Sequence, residues 1–485
     1  MANKKVQLHG KRVTVFGLNR SGIAAAKLLQ SHGAVVTLTD TRPREALSAE
    51  IAISNQQVAI GTEAISKSIN NRLLTADSHF QTYFGGHPLE CITDADLIVV
   101  SPGVPLDIPI LCKARLRNLP ILAELEIAAS VCPATIVAIT GTKGKSTTTL
   151  LTAAILKAGG RFPKVRVAGN IGVPLAAEVQ NLTSRDIVLV EASSFQLEST
   201  VTFHPKVSVV LNLSRDHLDR HGTMSAYREA KQKISENQTA ADWIVLNDSE
   251  TSVKDFAALT SAEAVYFTDK GVPDNSSFSG TFREGSELFA QQNGIREKIC
   301  DIVDIPVRGA HNVQNVLAAI AVGRIFGVTG AEIQEALQCF DRSHPALSHA
   351  FELVRTLDGV RFINDSKATN VAAVKAALES LADAQVLLIM GGYDKGNDYT
   401  SLCEIVQTQV KGAIMLGEYT QQIEKTLANT TKIMKAKTMA EAVQVAHKHA
   451  TPGDVVLLSP ANASFDMYSD YKARGTDFKE AVDAL

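Results

Sequence analysis

The chain has 485 residues and little of what marks the specialised protein classes. Its 48 lysines and arginines nearly balance 51 aspartates and glutamates, for a formal net charge of −3, and no basic or acidic run stands out. That balance argues against a nucleic-acid surface or a polybasic membrane patch. Cysteine is sparse: six residues (91, 112, 132, 300, 339 and 403) are scattered with no C-x-x-C spacing. A disulfide framework or a zinc site is therefore not expected, and reduced thiols are. The longest apolar stretches, such as 187–190 and 455–458, have the length of strands and fall far short of a membrane span. The first residues, MANKKVQLHGKRVTVFGL, carry lysines but no long apolar core, so they do not match a signal peptide and a cytoplasmic location is expected. No short repeat or low-complexity tract is present.

What is there is ordinary in bulk, 45% hydrophobic and 20% charged, and too long for one core. About two to four domains are expected. The most constrained segment is ATIVAITGTKGKST at 134–147. Thr135–Thr140 is short, β-branched and apolar, the pattern of a buried strand. Gly141 and Gly144 allow a sharp turn and close approach to a polyanion. A helix starting near Ser146 aims its N-terminal N–H groups and dipole at the same point. Lys145 can then reach the β/γ-phosphates, and Ser146 or Thr147 can take a Mg²⁺ ion. The eight-residue phosphate-loop pattern wants glycine at 139 and this chain has Ile139, so the match is to a shortened loop.

Three segments begin with their own strand–loop–helix signal. The first has a strand at Arg12–Phe16, GLNRSG at 17–22, an alanine-rich helix and a strand at 34–39 ending at Asp40, a βαβ unit. Asn19 stands where a dinucleotide fingerprint needs its middle glycine, which disfavours NAD(P) and leaves room for another nucleotide. The stretch 43–88 reads as helix plus variable loops, and a strand at 96–100 leads into Ser-Pro-Gly. The second segment continues from the phosphate loop through strands at 186–190, 207–212 and Trp243–Asn247, a polar stretch at 268–304 and a helix at 311–328. The third shows strand and helix alternating at 360–364, 367–382, 385–391 and 454–459. Alternation throughout predicts α/β architecture with mainly parallel sheets.

Downstream of the phosphate loop, Glu191 follows the strand IVLV, a position suited to holding Mg²⁺ or equally to starting a helix. His217, between Asp216 and Asp219, suits a metal or a structural role. Lys231, within AYREAKQKI, reads on its own as a solvated helix lysine.

Taken together, GTKGKST (141–147), GNIGVPL (169–175), EASSFQLE (191–198), NLSRDHLDRHGT (212–223), HNVQN (311–315), NDSKATN (364–370), GGYDKG (391–396) and LLSPANASFDMYSDYKARGTDF (457–478) resemble the Mur ligase family of ATP-dependent amide-bond ligases. SSFQLE, DSKATN and SPANASFD are similar to the branch that adds D-glutamate to UDP-N-acetylmuramoyl-L-alanine in peptidoglycan precursor synthesis. The resemblance implies three domains. A Rossmann-like UDP-binding domain would span 1–122, a central P-loop ATPase-like domain 123–345 and a C-terminal Rossmann-like domain 346–485. It places Arg20, Ser21, Asp40, Thr41, Arg42, Gly103, Asn170 and Ser193 on the UDP substrate. It places Gly141, Thr142, Lys143, Gly144, Lys145, Ser146, Thr147, Asn312, Asn315, Asp365 and Lys367 on ATP. Lys395, Thr369, Ser464 and Tyr471 would hold D-glutamate.

One Mg²⁺ would lie on Ser146 and Glu191, and a second on His217 and Lys231, the lysine carbamylated by CO₂ to N6-carboxylysine. Catalysis would rest on Lys145, His217, Lys231 and His349. The expected partners are these small molecules, with no nucleic acid, no membrane insertion and a monomeric state. The chain departs from the family where an arginine usually reaches ATP at the junction into the third domain. There it has FDRSHPALSHAFELV (340–354), with Ala350 at that position and Arg342 as the nearest substitute. Two other readings are a sister ligase adding a different amino acid, and a nucleotide-binding regulator that has lost catalysis.

Overall fold

The computed structural model describes residues 6–47, 80–271, 278–305, 310–341, 344–393, 396–417 and 419–485, with backbone only at 310, 311 and 346. It divides into two compact units, Met1–Asp301 with Leu317–Leu337, and Ile302–Val316 with Gln338–Leu485.

The first unit carries two sheets. Strands β1 (Arg12–Phe16), β2 (Val35–Asp40), β3 (Gln81–Phe84), β4 (Leu97–Val100) and β5 (Ile121–Ala123) form a parallel sheet in the order β3-β2-β1-β4-β5. The order reverses between β1 and β4, which opens a crevice beyond their C-terminal ends. The second sheet uses β6 (Thr135–Thr140), β7 (Val165–Gly169), β8 (Ile187–Glu191), β9 (Val207–Val210), β10 (Trp243–Asn247), β11 (Glu263–Thr268), β12 (Gly280–Glu284), β13 (Glu287–Gln292) and β14 (Ile295–Asp301). Its order is β14-β13-β12-β11-β10-β9-β6-β8-β7. Strands β6, β8 and β9 are buried almost end to end, as befits central parallel strands covered on both faces. Helix Arg20–Ser31 packs against helices Glu124–Val131 and Leu175–Glu178, so the two sheets share one apolar core.

The polar stretch after 268, to which the sequence assigned no element, holds strands. Strands β12, β13 and β14 are antiparallel there. The β13–β14 turn is Asn293-Gly294, both at positive φ (52° and 76°), the pairing that a tight hairpin selects. The exposed faces of these strands are polar, which hides their alternation. Strand β3 was likewise not evident within its polar surroundings, and most of 43–88 lies outside the described residues.

The second unit holds β15 (Glu352–Leu357), β16 (Val360–Asn364), β17 (Val386–Gly391), β18 (Val410–Leu416), β19 (Lys432–Ala436) and β20 (Val455–Ala461), in the order β15-β16-β20-β17-β18-β19. All pair in parallel except the edge strand β15. The loops after β16, β17 and β20 therefore gather at one end. The expected α/β class with mainly parallel sheets is what the chain adopts.

Candidate active site

Strand β6 delivers the chain into Gly141 (φ 155°) and Gly144 (φ 81°), and helix Lys145–Ala158 follows at once, with no side-chain cap. A Cβ on Gly141 would lie 3.0 Å from Leu211 Cβ, so the loop runs close over the segment that follows β9. That segment anchors it. Thr142 N–H donates to Asn212 O at 3.1 Å, Lys143 N–H to Asn212 Oδ1 at 2.8 Å, and Ser214 N–H to Thr142 Oγ1 at 3.0 Å. The Tyr227 hydroxyl lies 3.1 Å from Thr142 Oγ1. Neither Asn212 nor Tyr227 had been singled out in the sequence, because a lone amide or phenol carries no spacing signal.

Two lysines converge on one carbonyl. Lys145 Nζ donates to Gly141 O at 2.9 Å and Thr142 O at 3.0 Å. Lys231 Nζ donates to the same Gly141 O at 2.9 Å and to Thr140 Oγ1 at 3.3 Å, and lies 4.8 Å over the Tyr227 ring. Lys231 is 1% exposed, which corrects its reading as a solvated lysine. Helix Met224–Gln232 is amphipathic, and this lysine is on its inner face. Burial, reinforced by Lys145, pushes the Lys231 amine well below its ordinary pKa, with Asp216 and Glu191 acting in the opposite direction.

Glu191 ends β8 and is buried. Its Oε1 accepts from Asn170 Nδ2 at 2.7 Å, while Oε2 is buried with no hydrogen-bond partner. Asn170 is brought there by Gly169, where a Cβ would lie 2.4 Å from Glu191 O. His217 has φ 52° and its ring stands edge-on to Phe195 at 4.8 Å. Burial works against the charge on neighbouring Asp216. The charges of Lys143 and His217 and the His217 N–H nevertheless hold its carboxyl below the usual range. Among the described residues no three His, Cys, Asp or Glu side chains form a metal cluster. The unpartnered Glu191 oxygen near a buried lysine amine whose charge is disfavoured by burial nevertheless suits a hard cation, provided that amine becomes an anion.

In the first sheet, Asp40 ties the tip of β2 to the turn after β1. Its Oδ2 accepts from Leu18 N–H at 2.7 Å, and Arg42 donates Nε to Oδ1 at 3.0 Å and a terminal nitrogen to Asn19 Oδ1 at 2.8 Å. Arg20 donates to Gly172 O, in the loop that carries Asn170. Ser21 lies in the first turn of helix Arg20–Ser31, Thr41 is exposed at the strand tip, and Gly103 is exposed within reach of Asn19. Ser193 caps helix Ser194–Leu197, its hydroxyl accepting from Gln196 N–H.

In the second unit, Asn315 Nδ2 donates to Asn312 Oδ1 at 2.9 Å, one turn apart on helix Ala310–Ile325. Asp365 accepts from Phe351 N–H at 3.1 Å and Ser459 Oγ at 3.1 Å. Lys367 and Thr369 follow in the same loop, which Ala461 N–H holds through Ala368 O at 3.0 Å. Ser464 is buried after β20, and Tyr471 opens helix Tyr471–Asp483 and accepts from Ser366 Oγ at 2.8 Å. His349 is enclosed: Asn364 Nδ2 donates to its Nδ1 at 3.0 Å, and a Cβ on Gly475 would lie 2.3 Å from that nitrogen. Burial, then Lys479, lowers its pKa. Ala350 is half-buried, whereas Lys395 and Arg342 lie outside the described residues. Unforeseen in the sequence, Arg474 donates to Ser366 Oγ, Ser366 O and Asn462 O at 2.9–3.1 Å, joining the loops after β16 and β20 to helix Tyr471–Asp483.

The family models for the Mur ligase MurD-like N-terminal domain, the Mur ligase middle domain and the Mur ligase glutamate ligase domain match residues 11–123, 139–323 and 351–462. The UDP-N-acetylmuramoylalanine–D-glutamate ligase of Acidobacterium capsulatum is 40% identical over 479 residues, 98% of this chain and 97% of the relative. The ligase of the same name from Koribacter versatilis is 39% identical over 477 residues, 98% of each chain. Among solved structures, the pseudomurein peptide ligase type C of Methanothermus fervidus shares the fold at a TM-score of 0.58 and 19% identity, covering 98% of this chain and 100% of that one. The UDP-N-acetylmuramate–alanine ligase of Thermotoga maritima does so at 0.57 and 19%, covering 98% and 99%. With three family models covering most of its length and relatives at this identity from end to end, the chain belongs to the Mur ligase family.

Proposed function

We propose that the chain joins the terminal carboxylate of UDP-N-acetylmuramoyl-L-alanine to the amine of D-glutamate at the expense of ATP, as a cytoplasmic monomer in peptidoglycan precursor synthesis. The observation that carries this reading is the meeting of Lys145 and Lys231 on Gly141 O, near a buried Glu191 oxygen that has no partner. Such a site is completed by a polyanion and its counter-ions. The names of the full-length relatives supply the acceptor.

A carboxylate oxygen of the substrate attacks the γ-phosphorus of ATP, the bond to the bridging oxygen breaks, and ADP leaves an acyl phosphate. The D-glutamate amine then adds to the acyl carbon, a proton is lost, and phosphate departs with the carboxylate oxygen. Lys145 exchanges the carbonyls of Gly141 and Thr142 for phosphate oxygens and stabilises the charge of the transferring group. Residues 141–147 wrap the phosphates, and Asn312, Asn315, Asp365 and Lys367 take the rest of the nucleotide.

Ser146 and Glu191 would hold one Mg²⁺, and His217 with carbamylated Lys231 a second. Bound there, Mg²⁺ supplies neutralising charge to the phosphoryl oxygens. The lowered pKa of Lys231 supports the carbamate: burial favours the neutral form of the amine, which adds CO₂ and releases a proton, leaving an anion. Arg20, Ser21, Asp40, Thr41, Arg42 and Gly103 would hold the uridine diphosphate part, with Asn170 and Ser193 on the sugar side. Lys395, Thr369, Ser464 and Tyr471 would take D-glutamate, with His349 orienting the 364–369 loop through Asn364. The division of labour follows domains at 1–122, 123–345 and 346–485.

The test is phosphate release from ATP, measured with each substrate omitted and with a panel of acceptor amino acids. Release that requires both UDP-N-acetylmuramoyl-L-alanine and D-glutamate supports the reading. Equal kcat/KM with a diamino acid or L-alanine moves the chain to a sister ligase.

A further inference from the structure

Two segments of the first unit belong to different sheets and are joined by one side chain. One is the loop 101–105 after β4, which holds Gly103. The other is the short helix Leu218–His221, which follows directly on His217. Arg220 donates a terminal nitrogen to Val104 O at 2.8 Å, and the same nitrogen to Glu198. Val104 is itself fixed to the turn after β1. Its N–H donates to Ser101 O at 3.0 Å, Ser101 Oγ donates to Gly17 O at 2.6 Å, and Val104 Cγ2 lies 2.7 Å from where a Cβ on Gly17 would be.

The other end is equally firm. Arg220 N–H donates to His217 O at 3.1 Å, and its guanidinium lies 5.6 Å from the Phe195 ring centroid. Lys233 Nζ donates to Glu198 O at 2.8 Å and Thr200 O at 3.3 Å, which holds the acid beneath the arginine. The Arg220 and Glu198 side chains are only 17% and 15% exposed, so this is not a screened surface pair. A planar guanidinium can serve a carbonyl and a carboxylate at once in a fixed geometry, which a lysine ammonium does less well.

We propose that Arg220 is a positioning residue for the nucleotide-sugar substrate: it straps the 101–105 loop to the turn bearing His217 and sets the distance between substrate anchor and reaction centre. This rests on the UDP-substrate reading above. Loss of the strap frees the loop on the first sheet without altering the phosphate loop, so the damage falls on one substrate.

The test compares Arg220→Gln, Arg220→Lys and Glu198→Gln with the unchanged protein. It measures KM for each substrate, direct binding of UDP-N-acetylmuramoyl-L-alanine, and amide exchange of 101–104. Arg220→Gln is expected to raise KM and Kd for the nucleotide-sugar about tenfold, the loss of a charge-assisted hydrogen bond. KM for ATP and D-glutamate should stay within about twofold, and the Val104 amide should exchange faster. Arg220→Lys should recover part of the loss, and Glu198→Gln, which keeps the acceptor oxygen, should shift the same constants less. Should Arg220→Gln not fold, the two milder variants carry the same readouts. A parallel rise in all KM values, or an unchanged nucleotide-sugar KM, overturns the proposal. If the unchanged protein does not use this substrate at all, the functional reading fails instead, and exchange at Val104 still reports whether the strap exists.

Discussion

At the end of the second sheet, two lysines share the carbonyl of Gly141 and a buried Glu191 oxygen has no partner. At the end of the third sheet, Arg474 donates from three nitrogens to Ser366 and Asn462, and Asn462 Oδ1 accepts in turn from Asn397 and Tyr399 at 2.8 Å each. The first arrangement concentrates charge that the protein itself does not neutralise. The second satisfies the carbonyls of Ser366 and Asn462 and the Ser366 hydroxyl, and fixes loop positions. Unsatisfied, like-charged groups cost stability and are kept where a ligand completes them, whereas saturated networks hold a scaffold. Removing a side chain should therefore have opposite consequences for stability in the two regions.

The largest expected effect is Lys145→Ala, which should lower kcat by about 10²–10³ with the circular dichroism spectrum unchanged. Near-normal turnover would break the assignment of the charged end as the reaction centre. Next is Lys231. Lys231→Ala should be nearly inactive and partly rescued by small carboxylates that replace the carbamate. Lys231→Met, equally inactive, should be more stable than the unchanged protein by about 0.5–2 kcal/mol near neutral pH, since Lys145 still serves Gly141 O.

The sign follows from linkage. The Lys231 pKa is depressed in the folded state, so the unfolded chain binds more protons, and the unchanged protein gains stability as pH rises toward the ordinary 10.5. The gap to Lys231→Met should therefore narrow as pH rises. A destabilised Lys231→Met would contradict the comparison.

Arg474→Met should go the other way and cost about 2–4 kcal/mol in urea unfolding, because it strands buried acceptors on Ser366 and Asn462. Burial lowers the Arg474 pKa to about 10, so the guanidinium is still charged at neutral pH.

The smallest effect is Glu124→Gln, in the first unit. Burial pushes the Glu124 carboxyl up to about 7, against the Ala176 N–H that donates to it. Its folded pKa exceeds the ordinary 4.5, so its contribution is present below that value and is lost as pH rises through about 7. The glutamine variant should match the unchanged protein near pH 4 and exceed it progressively more as pH rises through about 7. No pH-dependent gap would mean that this carboxylate is solvated.

The parallel strands were legible because buried β-branched runs ending in glycine or an acid announce both the strand and its loop, as in Thr135–Thr140 and Ile187–Glu191. The β12–β14 hairpins were not, since their outer faces are polar, although Asn293-Gly294 was a usable signal. Lys145 and Glu191 could be placed by motif, but the burial of Lys231 depends on which face helix Met224–Gln232 turns inward. Arg220, Arg474 and Tyr227 act through partners that are distant in sequence, and no local pattern marks them.

The acyl-phosphate route is tested most directly by the fate of one oxygen. UDP-N-acetylmuramoyl-L-alanine carrying ¹⁸O in its terminal carboxylate should pass one labelled oxygen into the released phosphate at each turnover with ATP and D-glutamate. Phosphate free of label, from an enzyme that still forms the amide, would contradict the acyl-phosphate route.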